Sequence, residues 1–299
     1  MTKSCFVSAA LAAILLVLCA GCSRQSDKNN GGKLLLSCGL PPVAFLVKAI
    51  AGELADVQCL LPQGRSPHDY SPRPQEISRA GKSRIFFTTG MAFENSASAP
   101  LVNRLTVCDV TSGIRRRHFD SNHKCAGHHH HHHNDASLDP HIWLSCANAK
   151  AMAENICRAL SETDPANTAV YQKNFQKIAA ELDKTAANNK KLLEPYKGRE
   201  FFVYHPAFGY FADEAKMLQR PVEINGREAT AAQLAEIIRD AKNKGVKTIF
   251  VQPQFNPKTA EVLAQKINGK AVALDPLAEN LLHNLNLIPQ SICQGFETK

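Results

Sequence analysis

The chain has 299 residues, enough for two domains of ordinary size, and a formal net charge of +8. That charge raises a nucleic-acid reading, whose best patch is Ile114 to His118 (IRRRH). A basic run this short reads as solvated surface, and an exported chain seldom meets nucleic acid, so that class is set aside.

Export is read from the first residues. Lys3 is followed by the apolar run Phe6 to Leu18, which is shorter than the about 20 residues a bilayer requires but suits a signal-peptide core. "CAGCS" then resembles a bacterial lipobox. Residues 1–21 are expected to be a signal peptide, and Cys22 the lipidated first residue of the mature chain. Cys19 stands where leucine is usual in that motif, and simple cleavage near Ala20 is the alternative. No second apolar run is long enough to cross a membrane.

Of the ten cysteines, Cys5 and Cys19 fall in the signal segment. Setting aside Cys22 as well leaves Cys38, Cys59, Cys108, Cys125, Cys146, Cys157 and Cys293. There is no C-x-x-C. In an oxidising compartment one to three disulfides are expected, with connectivity open. Cys108 and Cys125 bracket the approach to a histidine run and are the preferred pair.

Residues 22–32 read as a polar tether. Beyond it, strands alternate with helices: KLLLSCG (strand), VAFLVKAIAGELA (helix), DVQCLL (strand), PQEISRAG (helix start), then the strands RIFFTTG and LTVCDV. The same grammar returns in REFFVYH (strand), TAAQLAEIIRDAKNKG (helix to Gly245), VKTIFVQ (strand), PKTAEVLAQKING (helix closed by Gly269) and KAVALD (strand). Such alternation argues for parallel sheets covered by helices. Between the halves, a helix is expected over about Pro165 to Leu193, with Asp164 as N-cap and Pro165 in its first position. Tyr171, Phe175, Ile178 and Leu182 form its apolar stripe. The expected fold is thus α/β, with an N-terminal lobe (33–163), one long connecting helix (164–195) and a C-terminal lobe (196–299).

Ligands of open α/β sheets bind beyond the carboxyl ends of the strands. His68 lies in the loop after DVQCLL, His205 ends REFFVYH, and Asp275 ends KAVALD. His141, in DPHIWLS, directly precedes a helix. Each flanking proline (Pro67, Pro140, Pro206) restricts its turn. Three imidazoles and a carboxylate can fill a tetrahedral shell, which zinc accepts.

The segments GRSPHDYSPRPQEI, DPHIWLS, VYHPAFGYFADE, FVQPQF and ALDPLAENL resemble, in order and spacing, motifs of the zinc/manganese solute-binding lipoproteins that feed ABC importers (cluster A-I), and more closely its zinc branch. The likeness runs from about Lys33 to Leu285. It implies two lobes around a cleft holding one Zn2+ at His68, His141, His205 and Asp275. It also implies delivery to a permease with its cytoplasmic ATPase, and attachment to the membrane by a lipid; a monomer is expected. The family often has Glu where this chain has Gln252, which removes a negative charge. Water can replace Asp275, and His283 matches no ligand position.

Imidazoles favour zinc, copper or nickel over manganese. A manganese or other metal carrier, an adhesin of the same fold, and a zinc hydrolase with three histidines and an open position are the alternatives. No H-E-x-x-H is present, and no enzyme is expected. The segment 118–134 carries His118, His123 and the run His128, His129, His130, His131, His132 and His133. A tag scar would not bring the two upstream histidines with it. The loop reads as an auxiliary, low-affinity zinc collector, with a solvated low-complexity tract as the alternative.

Overall fold

Among the described residues, eight short strands form two parallel sheets of one topology. The structure, a computed structural model, describes residues 32–119, 138–223, 229–255 and 257–297. The signal segment, Cys22, Cys125, His123 and His128 to His133 lie outside them, and the Cys108–Cys125 pairing with them. The first sheet contains β1 (Leu34–Cys38), β2 (Ala55–Cys59), β3 (Ile85–Thr88) and β4 (Thr106–Asp109), in the order β2-β1-β3-β4. The second contains β5 (Glu200–Val203), β6 (Leu218–Pro221), β7 (Thr248–Val251) and β8 (Lys270–Ala273), in the order β6-β5-β7-β8. Every pairing is parallel. The order reverses beside β1 and again beside β5, so each sheet has a crevice beyond its strand ends.

β6 is an element the sequence patterns did not reveal. It is short and ends in Pro221, a residue without an N–H, which a sheet tolerates at an edge.

The helices are α1 (Pro41–Ala51), α2 (Pro74–Ala80), α3 (Ala92–Ser98), α4 (Cys146–Thr163), α5 (Thr168–Leu193), α6 (Gly209–Ala215), α7 (Ala231–Asn243), α8 (Pro257–Lys266) and α9 (Leu281–Glu297). None of those searched is long and apolar enough to cross a membrane. The long helix α5 begins three residues later than expected, because Pro165–Asn167 forms a 3-10 turn. Asp164 is not its N-cap. It closes α4, and its Oδ2 accepts hydrogen bonds from Tyr171 Oη and Asn167 Nδ2, both at 2.7 Å. The apolar stripe is as expected: Tyr171, Ile178 and Leu182 are buried and Phe175 is half-buried against the core. α8 closes on Asn268, which takes the left-handed conformation expected of Gly269.

Strand alternation divides the core. Phe201 and Val203 of β5 and Phe250 of β7 face inward and join one continuous apolar cluster with β1, β3, α1, α4, α5 and α9. The opposite face of the second sheet, with Phe202, Tyr204, Ile249 and Val251, packs on Ile237 and Ala241 of α7 and Leu263 of α8. The two lobes therefore share a core across α5 and α9, and only α7 and α8 lie over a separate, smaller one.

The basic run IRRRH is not a plain solvated surface. Arg116 Nη2 donates to Thr111 Oγ1 at 2.7 Å, and Arg117 is mostly buried in ion pairs with Asp139 and Asp213, each at 2.9 Å. Arg117 thereby ties the segment before the histidine run to α6 in the other lobe. Its guanidinium occupies the space a Cβ on Gly209 would take, so any larger residue there would displace Arg117 from its ion pairs.

Candidate metal centre

Three of the four residues singled out from the sequence meet. His68 comes from the loop between β2 and α2, His141 from the turn leading into Ile142–Leu144 and α4, and His205 from the end of β5. Their Nε2 atoms are 3.3 Å (His68 to His141), 3.1 Å (His68 to His205) and 3.3 Å (His141 to His205) apart. His141 and His205 are buried and His68 is exposed, as suits a cluster at the mouth of a cleft.

The tautomers are fixed from behind. Asp139 Oδ1 accepts from His141 Nδ1 at 2.8 Å, and Glu223 Oε2 accepts from His205 Nδ1 at 2.5 Å. With the proton on Nδ1, both Nε2 atoms turn bare lone pairs toward each other. Two lone pairs at 3.3 Å repel, and a cation between them removes the repulsion. A tetrahedral zinc with Zn–N bonds of about 2.0–2.1 Å holds its nitrogens about 3.3 Å apart, which is the spacing here. The donor set fits that ion.

Both carboxylates were missed in the sequence. Asp139 stands two residues before His141, a spacing that could have flagged it; Glu223 follows the unrecognised β6 and has no local signal. Asp139 is fully buried. Burial pushes its carboxyl up, but the hydrogen bonds from His141 and Arg117 outweigh this and hold it below its ordinary value. Gln252, also fully buried, brackets the His205 backbone: its Oε1 accepts from His205 N at 3.0 Å and its Nε2 donates to His205 O at 3.1 Å. A carboxylate has no N–H to give, so the neutral amide suits this role better, and Glu223 supplies the negative charge instead. Phe255 stacks on the His205 ring at 5.0 Å.

The remaining candidates stand apart. Asp275 lies just after β8, outside the three-histidine group, and its Oδ1 accepts from Gln254 Nε2 at 2.7 Å and Leu277 N at 2.9 Å. His118 is exposed and pairs with Leu138 in an isolated antiparallel bridge, which closes the base of the segment that carries the histidine run. His283 is in α9, exposed, as expected.

Burial lowers His205, and burial with repulsion from His141 and His205 lowers His68. The sign follows. Below about pH 6.5 the unfolded chain takes up protons that the folded cluster refuses, so the metal-free protein loses stability as pH falls. His205, the more deeply buried of the two, carries the larger share of that loss. His68 adds less, because water screens its exposed ring. Urea unfolding of metal-free protein from pH 7 to 5 measures this, and His205→Ala should flatten the loss; an equal slope in the variant refutes the assignment.

The family model for zinc-uptake complex component A, periplasmic (ZnuA), matches residues 37–285. The chain is similar to the high-affinity zinc uptake system protein ZnuA of Bacillus subtilis, 29% identical over 89% of this chain and 86% of that one. It is also similar to the manganese ABC transporter substrate-binding lipoprotein PsaA of Streptococcus pneumoniae, 26% identical over 86% of this chain and 84% of that one. A crystal structure of ZnuA superimposes with a TM-score of 0.80 at 29% identity, over 88% of this chain and 99% of that one. With the match extending over most of the chain and the paired sheets agreeing, the chain belongs to the ZnuA family of periplasmic zinc-uptake components.

Proposed function

We propose that this protein is the extracytoplasmic receptor that captures Zn2+ and delivers it to an ABC importer, through a permease with its cytoplasmic ATPase. The observation that carries this reading is the convergence of three Nε2 atoms, two of them held as acceptors by buried carboxylates. His68, His141 and His205 are the ligands, and Asp275 or a water takes the fourth position. Ligands drawn from separate loops of two lobes suit capture and release. The family is a binding component and not an enzyme.

Manganese is the second candidate, since PsaA is a manganese lipoprotein. Three nitrogen donors argue for zinc, because manganese favours harder oxygen donors. Metal analysis of unsupplemented protein, followed by competition with a graded set of chelators, decides between them. Zinc at one tight equivalent is expected; manganese displacing zinc at equal concentration overturns the proposal. Anchoring through a lipid on Cys22 belongs to the same reading and is tested by detergent partitioning of Cys22→Ala.

The loop histidines are proposed as a weak collector. Imidazoles on a loop must be ordered for each ion they take, which costs conformational entropy that a preformed cleft does not lose. Deleting residues 120–134 keeps the His118–Leu138 bridge and removes His123 and His128 to His133. Cys108→Ser should accompany it, because Cys125 is lost. Calorimetry should then retain one tight zinc and lose the weaker ones. Disappearance of the tight site would place the first ligands in the loop and refute the cleft.

A further inference from the structure

Export leaves the cysteine pairing open, and the first sheet supplies one pair. Cys38 ends β1 and Cys59 ends β2, and they are register partners in the parallel ladder. Neighbouring strands lie about 4.8 Å apart, inside the roughly 4.4–6.8 Å Cα separation that a disulfide spans. Each thiol leans toward the other's strand. Cys38 Sγ donates to Gln58 O at 3.6 Å and Cys59 Sγ to Gly39 O at 3.4 Å. Cys38 is fully buried, whereas Cys59 is partly exposed. Among the described residues, Cys38, Cys59, Cys108, Cys146, Cys157 and Cys293 are free thiols.

We propose that Cys38 and Cys59 form a redox-modifiable dithiol that closes into a disulfide by exchange with a disulfide oxidant. Cys59, the accessible thiol, acts first. Its thiolate attacks the oxidant R–S–S–R, forming Cys59–S–S–R and releasing one R–S⁻. Cys38 then loses its proton to solvent and attacks Cys59 Sγ, which breaks the mixed disulfide and expels the second R–S⁻. Two protein thiols are oxidised and one external disulfide is reduced to two thiols. The hydrogen bond with Cys59, followed by burial, pushes the Cys38 thiol well above its usual value. Ring closure needs the Cys38 thiolate and therefore accelerates as pH rises. Closure replaces the Cys59 contacts with Gly39 O and Leu61 O by a covalent tie at the root of the loop that carries His68.

The proposal rests on the exported location only for the supply of oxidant, and the test supplies its own. The reduced, metal-free mature chain is incubated with glutathione disulfide at mildly alkaline pH, alkylated, and digested with trypsin without reduction. The expected product joins the peptides Leu34–Lys48 and Ala49–Arg65, is two hydrogen atoms lighter than their sum, and separates on adding dithiothreitol. Cys38→Ser should instead stop at a glutathione adduct on Ala49–Arg65, and Cys59→Ser should give no joined peptide. Three results in the wild-type chain overturn the proposal: a persistent glutathione adduct on Cys59, alkylation of both thiols, or linkage of either to another cysteine. The wild-type map is decisive even if a variant fails to fold.

Discussion

His141→Ala should abolish tight zinc binding and leave a folded protein. The ring supplies one of three converging nitrogens, and no other described histidine, cysteine or carboxylate joins the group to replace it. Losing a partner that only orients a ligand costs about 10–100-fold in affinity, so losing the ligand itself should exceed about 100-fold. The fold should survive, because Asp139 keeps its ion pair with Arg117 at 2.9 Å and Trp143 keeps its bond to Pro276 O at 2.7 Å. His68→Ala and His205→Ala should behave alike in zinc titrations against a chelator, with circular dichroism confirming the folded state. Asp275→Ala should weaken binding less, since water can take its position. Tight binding lost in only one of the three histidine variants would break the shared-site proposal.

The largest expected loss of stability belongs to Glu94, outside the cluster. Its buried Oε2 accepts from Thr88 Oγ1 at 3.0 Å, Thr89 N at 2.9 Å, Thr89 Oγ1 at 2.9 Å and Met91 N at 3.0 Å. It thereby joins the end of β3 to the first turn of α3. Burial outweighs these donors and raises the carboxyl above its ordinary value. Glu94→Ala leaves two backbone N–H groups without an acceptor, at about 1–3 kcal/mol each, so a loss of about 2–6 kcal/mol is expected. Glu94→Gln keeps an oxygen acceptor and should cost less. Urea midpoints measure both, and an alanine variant within about 0.5 kcal/mol of the wild type would show that the network carries no weight.

Much of this architecture was legible because apolar runs bounded by turn residues locate buried strands. KLLLSCG and VKTIFVQ announce themselves in this way, and the ends of strands are where a doubly covered sheet exposes side chains. His68, His141 and His205 could be found from that rule combined with the motif likeness. What stayed hidden depends on partners distant in sequence. Glu223 reaches His205 from just beyond a strand whose QRP ending conceals its pairing. Arg116 and Arg117 look like surface until Thr111, Asp139 and Asp213 fold around them. Asp164 has the residue type of an N-cap, yet Tyr171 and Asn167 compete for its carboxylate and the preceding helix ends on it.

The core that runs across α5 and α9 limits how this protein can let go of a metal. Phe201, Phe208, Phe211 and Phe250 of the C-terminal lobe belong to the same buried cluster as Leu36, Val43 and Phe86 of the N-terminal lobe. A motion that parted this cluster would forfeit roughly 1.5–3 kcal/mol for each large apolar side chain it exposed, which disfavours a wide-open state. The cheaper route is local, through the exposed His68 and its loop, whose described support includes the His68 N–H bond to Ser66 Oγ at 3.3 Å. A docking partner that displaces this one strap would turn a three-nitrogen trap into a two-nitrogen perch, with both buried imidazoles still in place to receive the next ion.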